Sequence, residues 1–198
     1  MTGGVPRDVE LIGGIEKREI VVLEPDPAWP ARFERERERI LAALGAGAVR
    51  VDHVGSTAVP GLPAKPIVDI DLSVPDVEDE DAYLPALLGA GYELRVREPG
   101  HRLVRTPARD VHVHVCTTGS DWERSHLLFR DRLRHDPADR AAYAALKREL
   151  AARDWPSMND YADAKGGLIG EITARAEAWA IATGWRVETS GAAPTRGL

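Results

Sequence analysis

Eight residues, Ile67-Val-Asp-Ile-Asp-Leu-Ser-Val74, constrain this chain more than any other stretch. Side chains alternate faces along a strand, so Ile67, Asp69, Asp71 and Ser73 share one side while Val68, Ile70, Leu72 and Val74 share the other. The aliphatic side must be buried, which makes this a central strand carrying two acids on its opposite face. Their carboxylates lie about 6.5 Å apart along the backbone. At that spacing they repel by roughly 2–3 kcal/mol at an effective dielectric near 20. A fold that retains such a pair relieves it with a divalent cation or a shared proton. Just upstream, Gly55-Ser56 forms a turn suited to phosphate oxygens, following a strand at 49–54.

The chain has 198 residues, of which 43% are hydrophobic and 29% charged, enough for one domain with a substantial core. A formal net charge of −6 argues against non-specific nucleic-acid or anionic-membrane binding, and so against nucleic acid as the partner. Cys116 is the single cysteine, so no internal disulfide forms and a reducing, cytoplasmic setting is expected. No apolar run approaches the ~20 residues of a membrane span, and no signal-peptide core is present.

Residues 1–18 are Gly-rich without a period and read as a mobile arm. An α/β core is expected over 19–118, with strands at 19–24, 49–54, 67–74, 92–96, 101–106 and 111–116. A helix over 28–44 carries Trp29, Phe33, Ile40, Leu41 and Leu44 on its apolar stripe. The run 75–90 opens with acids that read as a solvated helix start. A helical part covers 119–186, and 187–198 is a tail. There, Ser120 with Glu123 makes a capping box, and Asp136 before Pro137 caps the next helix. Asn159 caps a last helix to Thr183, with Gly166-Gly167 at a kink or close contact in its middle. Trp29, Trp155 and Trp179 read as packing anchors, Arg124 and Arg132 as solvated, and His126 and His135 carry no special signal.

On the strand near 111–116, period two places Asp110, His112 and His114 on one face. Helical spacing gathers further groups: Arg130 and Arg134, Tyr143 and Lys147, and Tyr161 and Lys165 are each four apart and share a face. Arginine forks and lysine ammonium groups suit a polyphosphate.

A strand, a Gly-Ser turn and a same-face Asp-x-Asp strand resemble the nucleotidyltransferase (polymerase-β-like) superfamily. More closely, His53-Val-Gly-Ser-Thr57, Val59-Pro-Gly-Leu62, Ala64-Lys-Pro66 and Ile67-Val-Asp-Ile-Asp71 resemble the hallmark of the GrpB-like (UPF0157) family. Pro27-Ala-Trp29, His112-Val-His-Val, Phe129 to Arg134 and the two Tyr/Lys pairs extend that resemblance over roughly 19–182. It implies an α/β (α+β) fold: a nucleotidyltransferase-like mixed sheet flanked by helices, with a helical C-terminal part. It also implies a metal-dependent enzyme that binds a nucleoside triphosphate and transfers a nucleotidyl group to a small-molecule acceptor. In such an enzyme Asp69 and Asp71 hold Mg²⁺, or Mn²⁺, while Gly55, Ser56 and Thr57 hold phosphate oxygens. Lys65 neutralises the departing pyrophosphate, with Arg130, Arg134, Lys147 and Lys165 adding cationic contacts. The superfamily's third acid has no obvious counterpart; His112 or His114 can replace it as base or ligand, or Asp110 can supply it. Imidazole suits Mn²⁺ or Zn²⁺ better than Mg²⁺. Two other readings stay open: a non-catalytic module binding a nucleotide or coenzyme A precursor, and a partner-binding protein that works through its helical half.

Overall fold

A computed structural model describes residues 9–17 and 19–188. The N-terminal residues 1–8 and the tail from 189 lie outside the described residues, so most of the expected arm and tail is untested. The architecture is mixed α/β, with six strands in one sheet. They are β1 (Glu10–Leu11), β2 (Arg50–Val54), β3 (Val68–Val74), β4 (Glu93–Glu98), β5 (His101–Arg105) and β6 (Val111–Thr117). Their order is β1-β4-β5-β6-β3-β2. Only β3 and β6 run parallel; every other neighbouring pair is antiparallel. Among the described residues six α-helices accompany the sheet: α1 (Ala28–Leu44), α2 (Leu84–Gly89), α3 (Asp121–His135), α4 (Pro137–Ala151), α5 (Met158–Asp163) and α6 (Gly166–Thr183). Among the described residues, no helix is long and apolar enough to cross a membrane.

The alternation of β3 and β6 sorts the sheet into two unlike faces. Val68, Ile70, Leu72 and Val74 join Val111, Val113 and Val115 in a layer against Trp29, Phe33 and Ile40 of α1 and Leu84 and Leu87 of α2. Each such aliphatic chain contributes about 1.5–3 kcal/mol by leaving water. The other face carries Asp69, Asp71 and Ser73 beside His112 and His114, and α3 lies over it. Glu123, at the start of α3, is the anchor. It accepts a hydrogen bond from the Ser73 hydroxyl at 2.5 Å and one from the Gly119 backbone N–H at 2.7 Å. One turn later His126 meets Asp71, and Arg130 reaches Asp52 and the His53 carbonyl. A second core, of Val59, Leu62, Leu133, Tyr143, Ala144 and Ile172, ties the turn after Gly55 to α3, α4 and α6.

Several elements differ from the sequence expectation. Residues 19–24 form no strand; Leu23 makes a single bridge to Ala64. The facing segment contains Pro60, Pro63 and Pro66, which lack the N–H groups a ladder needs. Two residues of the supposed arm, Glu10 and Leu11, pair with β4 instead, too short a stretch to show a period. The acidic run after Val74 opens only a 3-10 turn, Glu80–Ala82, and α2 begins beyond it at Leu84 with no acid in its first turn. Glu78 and Glu80 receive hydrogen bonds from the buried Arg102, and Glu80 also from Arg97. That Arg97 bond, outweighing burial, pulls the Glu80 carboxyl down to about 2. Arg132 is not solvated but bonded to Asp136 and Asp139, and Arg124 forms a two-pronged pair with Glu177. Ser120 caps α3 as expected, yet Glu123 turns to Gly119 and Ser73 rather than back to the cap residue. The expected last helix is two. Ser157, not Asn159, caps α5, and Gly166-Gly167 begins α6, where low helix propensity lets the chain break.

Replacing Glu123 by Ala strips Ser73 and Gly119 of a buried charged partner, so it should cost about 2–3 kcal/mol. Urea unfolding followed by circular dichroism measures this; an unshifted midpoint would mean that α3 is held elsewhere.

Candidate functional site

β3 and β6 pair in register, with Asp69 opposite His112 and Asp71 opposite His114. The two acids nevertheless have unlike surroundings. Asp71 is only 1% exposed, and both its oxygens face Nδ1 of His126, at 2.9 and 3.1 Å. Burial alone would lower the His126 pKa, but the bond to Asp71 and the charges of Asp71 and Asp69 raise it above the ordinary value. Asp69 keeps 29% of its side chain exposed, with Oδ1 at 3.5 Å from His112 Nδ1 and 3.7 Å from His114 Nε2. Burial works upward on this carboxyl, yet the two imidazoles outweigh it and hold the acid well below its usual range. One donor atom each from Asp69, His112 and His114 lie within 4.8 Å of one another.

Behind His114 stands a relay. His101 Nε2 is 3.0 Å from His114 Nδ1, and His101 Nδ1 is 2.6 Å from Glu98 Oε1. Trp122 stacks on His101 at 3.9 Å between ring centroids. Burial, then the nearby His114, His126 and Arg102, drive the His101 pKa down to about 2.

Asp69 and His112 open into a cleft of about 160 Å³. Gly55 and Ser56 form one wall, and Lys65, Lys147 and Lys165 converge on it. The i,i+4 pairs meet as their spacing demands: the Lys147 ammonium sits 5.5 Å from the centre of the Tyr143 ring, and that of Lys165 4.6 Å from that of Tyr161. Lys65 approaches the same Tyr161 ring at 5.2 Å. Lys147 donates to the Pro63 carbonyl at 2.6 Å. Burial, reinforced by Lys165 and Lys65 and opposed by Asp69, pushes Lys147 down to about 7; burial and Lys65 push Lys165 down to about 8. Tyr161 is fully buried, and its hydroxyl finds no hydrogen-bond partner in the protein. Three crowded ammonium groups are the kind of lining that can receive a multiply charged anion.

Gly55 explains how the turn comes so near the acid. Its φ is +67°, and a Cβ there would lie 2.6 Å from Asp69 Oδ2. The remaining residues expected at the site lie elsewhere. Thr57 is buried, donating to the Ile67 carbonyl and bonded to His53 Nε2 at 3.0 Å, so it braces the turn. Arg130 binds Asp52 and the His53 carbonyl. Arg134 donates to the Ala58 carbonyl and lines a different groove, of about 520 Å³, with Trp29, Phe33 and His53. Asp110 bonds Thr106 and Arg32. Sequence reasoning missed His126 and His101. For His126 the available signal was its place three residues after Glu123 and four before Arg130, on one helix face. His101 sits beside a hairpin turn and carried none.

The family described as GrpB protein matches residues 19–175. The chain is 58% identical over 170 residues to the UPF0157 protein of Streptomyces coelicolor, covering 86% of this chain and 91% of that one. It is 33% identical over 201 residues to the dephospho-CoA kinase of Mycolicibacterium paratuberculosis, 87% of this chain against 49% of the kinase, so the match spans about half of that protein. Among solved structures, the crystal structure of conserved protein GrpB from Enterococcus faecalis aligns with a TM-score of 0.71 and 34% identity, covering 80% of this chain and 99% of that one.

Gly55→Ala should destabilise the protein by about 1–3 kcal/mol, since it combines a left-handed backbone with a clash against Asp69. Thermal denaturation checks it; a wild-type melting temperature would show that the turn can move away from the acid.

Proposed function

Since the chain belongs to the GrpB family, whose fold is consistent with the nucleotidyltransferase superfamily, we propose that it binds a nucleoside triphosphate by its phosphate tail and transfers a nucleotidyl group to a small acceptor. One observation carries this reading: three lysines meet in a small cleft beside Asp69 and the Gly55-Ser56 turn. Ligand pockets for whole drug-sized molecules run to about 300–1,000 Å³. At about 160 Å³ the cleft has room for phosphate groups, which leaves the nucleoside at its mouth.

In the transfer, an acceptor oxygen forms a bond to the α-phosphorus while the bond to the β-phosphate oxygen breaks; pyrophosphate departs with that electron pair, and a hydroxyl acceptor gives up its proton to water. Lys65, Lys147 and Lys165 hold the departing phosphates by charge, and the Ser56 hydroxyl orients one oxygen. The superfamily implies Mg²⁺ between Asp69 and Asp71. The donors present suit it poorly, because both Asp71 oxygens are turned to His126 and nitrogen atoms of His112 and His114 face Asp69. Mn²⁺ accepts such mixed donors more readily. The nucleotide reading needs no step through either ion to be tested.

The match to half of a dephospho-CoA kinase supports a second reading, a module that binds an adenine nucleotide or coenzyme A precursor without transferring anything. Release of pyrophosphate from a nucleotide in the presence of candidate acceptors separates the two.

Calorimetric titration of ATP and CTP tests binding itself, and no heat with either would refute it. Lys147→Met and Lys165→Met should each weaken binding about 10- to 100-fold, the worth of one charge-assisted contact. The pH dependence has a definite sign. Lys147 titrates at about 7 and Lys165 at about 8, and only the protonated forms attract phosphate. Affinity should therefore fall as pH rises through 7 to 8, and a rise over that window would contradict the assignment.

A further inference from the structure

We propose that Asp69, His112 and His114 form a three-ligand centre for a divalent transition-series cation of the Zn²⁺ class, with its open position toward the lysine-lined cleft. The distances favour a shared ion over direct hydrogen bonding. His112 Nδ1 and His114 Nε2 lie 3.5 and 3.7 Å from the same Asp69 oxygen, beyond the usual N–H···O range. Two donors held at 2.0–2.1 Å on one tetrahedral ion lie roughly 3.4 Å apart, so both Asp69–histidine separations are close to the spacing that a shared ion imposes.

The hydrogen-bonded chain behind His114 is the independent observation. His101 Nδ1 lies 2.6 Å from the Glu98 carboxylate, and His101 Nε2 lies 3.0 Å from His114 Nδ1. His114 is thereby held with its other nitrogen, Nε2, turned toward the Asp69 carboxylate. An imidazole whose far nitrogen is bonded into a relay ending on a carboxylate is the usual support of a metal-ligating histidine. Trp122, stacked on His101, fixes the ring plane.

The chemistry of the set selects the ion. Two imidazole nitrogens and one carboxylate oxygen suit Zn²⁺, Mn²⁺ or Co²⁺ and disfavour Mg²⁺, which demands oxygen ligands. Three protein ligands leave a position for water or a phosphate oxygen, the pattern of a reactive rather than a structural centre. His112 and Asp69 both line the cleft, so that position opens toward the lysines.

The centre is tested with metal alone, in the absence of any nucleotide. Untagged, metal-stripped full-length protein is titrated with Zn²⁺ by calorimetry and with Co²⁺ by visible absorption. Saturation at one ion per chain, with ligand-field bands of four- or five-coordinate Co²⁺, is the expected result. His112→Ala, at a partly exposed position, should weaken Co²⁺ binding at least 100-fold while circular dichroism stays unchanged. Absence of saturable binding by the wild-type protein would overturn the proposal without touching the nucleotide reading. So would undiminished binding by His112→Ala, or Mg²⁺ competing at equal concentration.

Discussion

The in-register parallel pairing of β3 with β6 is the contact on which the rest of the molecule depends. It aligns Val68, Ile70 and Leu72 with Val111, Val113 and Val115 on one side, and Asp69 and Asp71 with His112 and His114 on the other. Since side chains alternate along each strand, a slip of one residue would face acids with valines and turn imidazoles into the core. The aliphatic layer therefore enforces the polar one. Burial of hydrocarbon sets a register, and the register sets which titratable groups meet.

Much of this was legible along the chain because it depends only on period. The two faces of β3, the two histidines on one face of β6, the cap at Asp136 and the Tyr/Lys pairs all follow from spacings of two or four. What was not legible depends on partners distant in sequence. Asp69 and Asp71 look equivalent in a string of letters. Only the arrival of α3, pinned by Glu123 on Ser73, gives His126 to Asp71 and leaves Asp69 open. Likewise Arg130 and Arg134 have the spacing of the lysine pairs, yet they end on Asp52 and backbone carbonyls around the turn. The strand expected at 19–24 failed because a β-rich segment still needs a partner with N–H groups, and the prolines opposite it removed them.

A polar sheet face buried under a helix has to satisfy every group it encloses. Here the face is settled from one end. Ser73 and Glu123 close the region near the start of α3, Asp71 and His126 the next turn, and the polar groups that stay open lie at the end toward Gly55. The helical half thus does two things at once: α3 seals most of the face, while α4 and the start of α6 bring Lys147 and Lys165 to the part left unsealed. Gly55 completes the opening, because only a residue without a side chain lets the turn approach Asp69 so closely.

The unsealed end combines two opposite electrostatic problems. Three lysines share one cleft, and burial with their mutual repulsion pushes two of them below the ordinary lysine range, so an anion bound there would relieve them. On the other side a carboxylate and two imidazoles converge, one donor atom from each within 4.8 Å of the others, the set proposed to hold a cation. A cation alone would add positive charge beside the lysines, and a polyphosphate alone would bring negative charge toward Asp69. Bound together, each cancels the field that the other worsens, and the pair should bind more tightly than either by itself. On the proposed reading, that mutual relief is what a metal–nucleotide complex supplies, and it gives a physical reason for one small cleft to hold both halves.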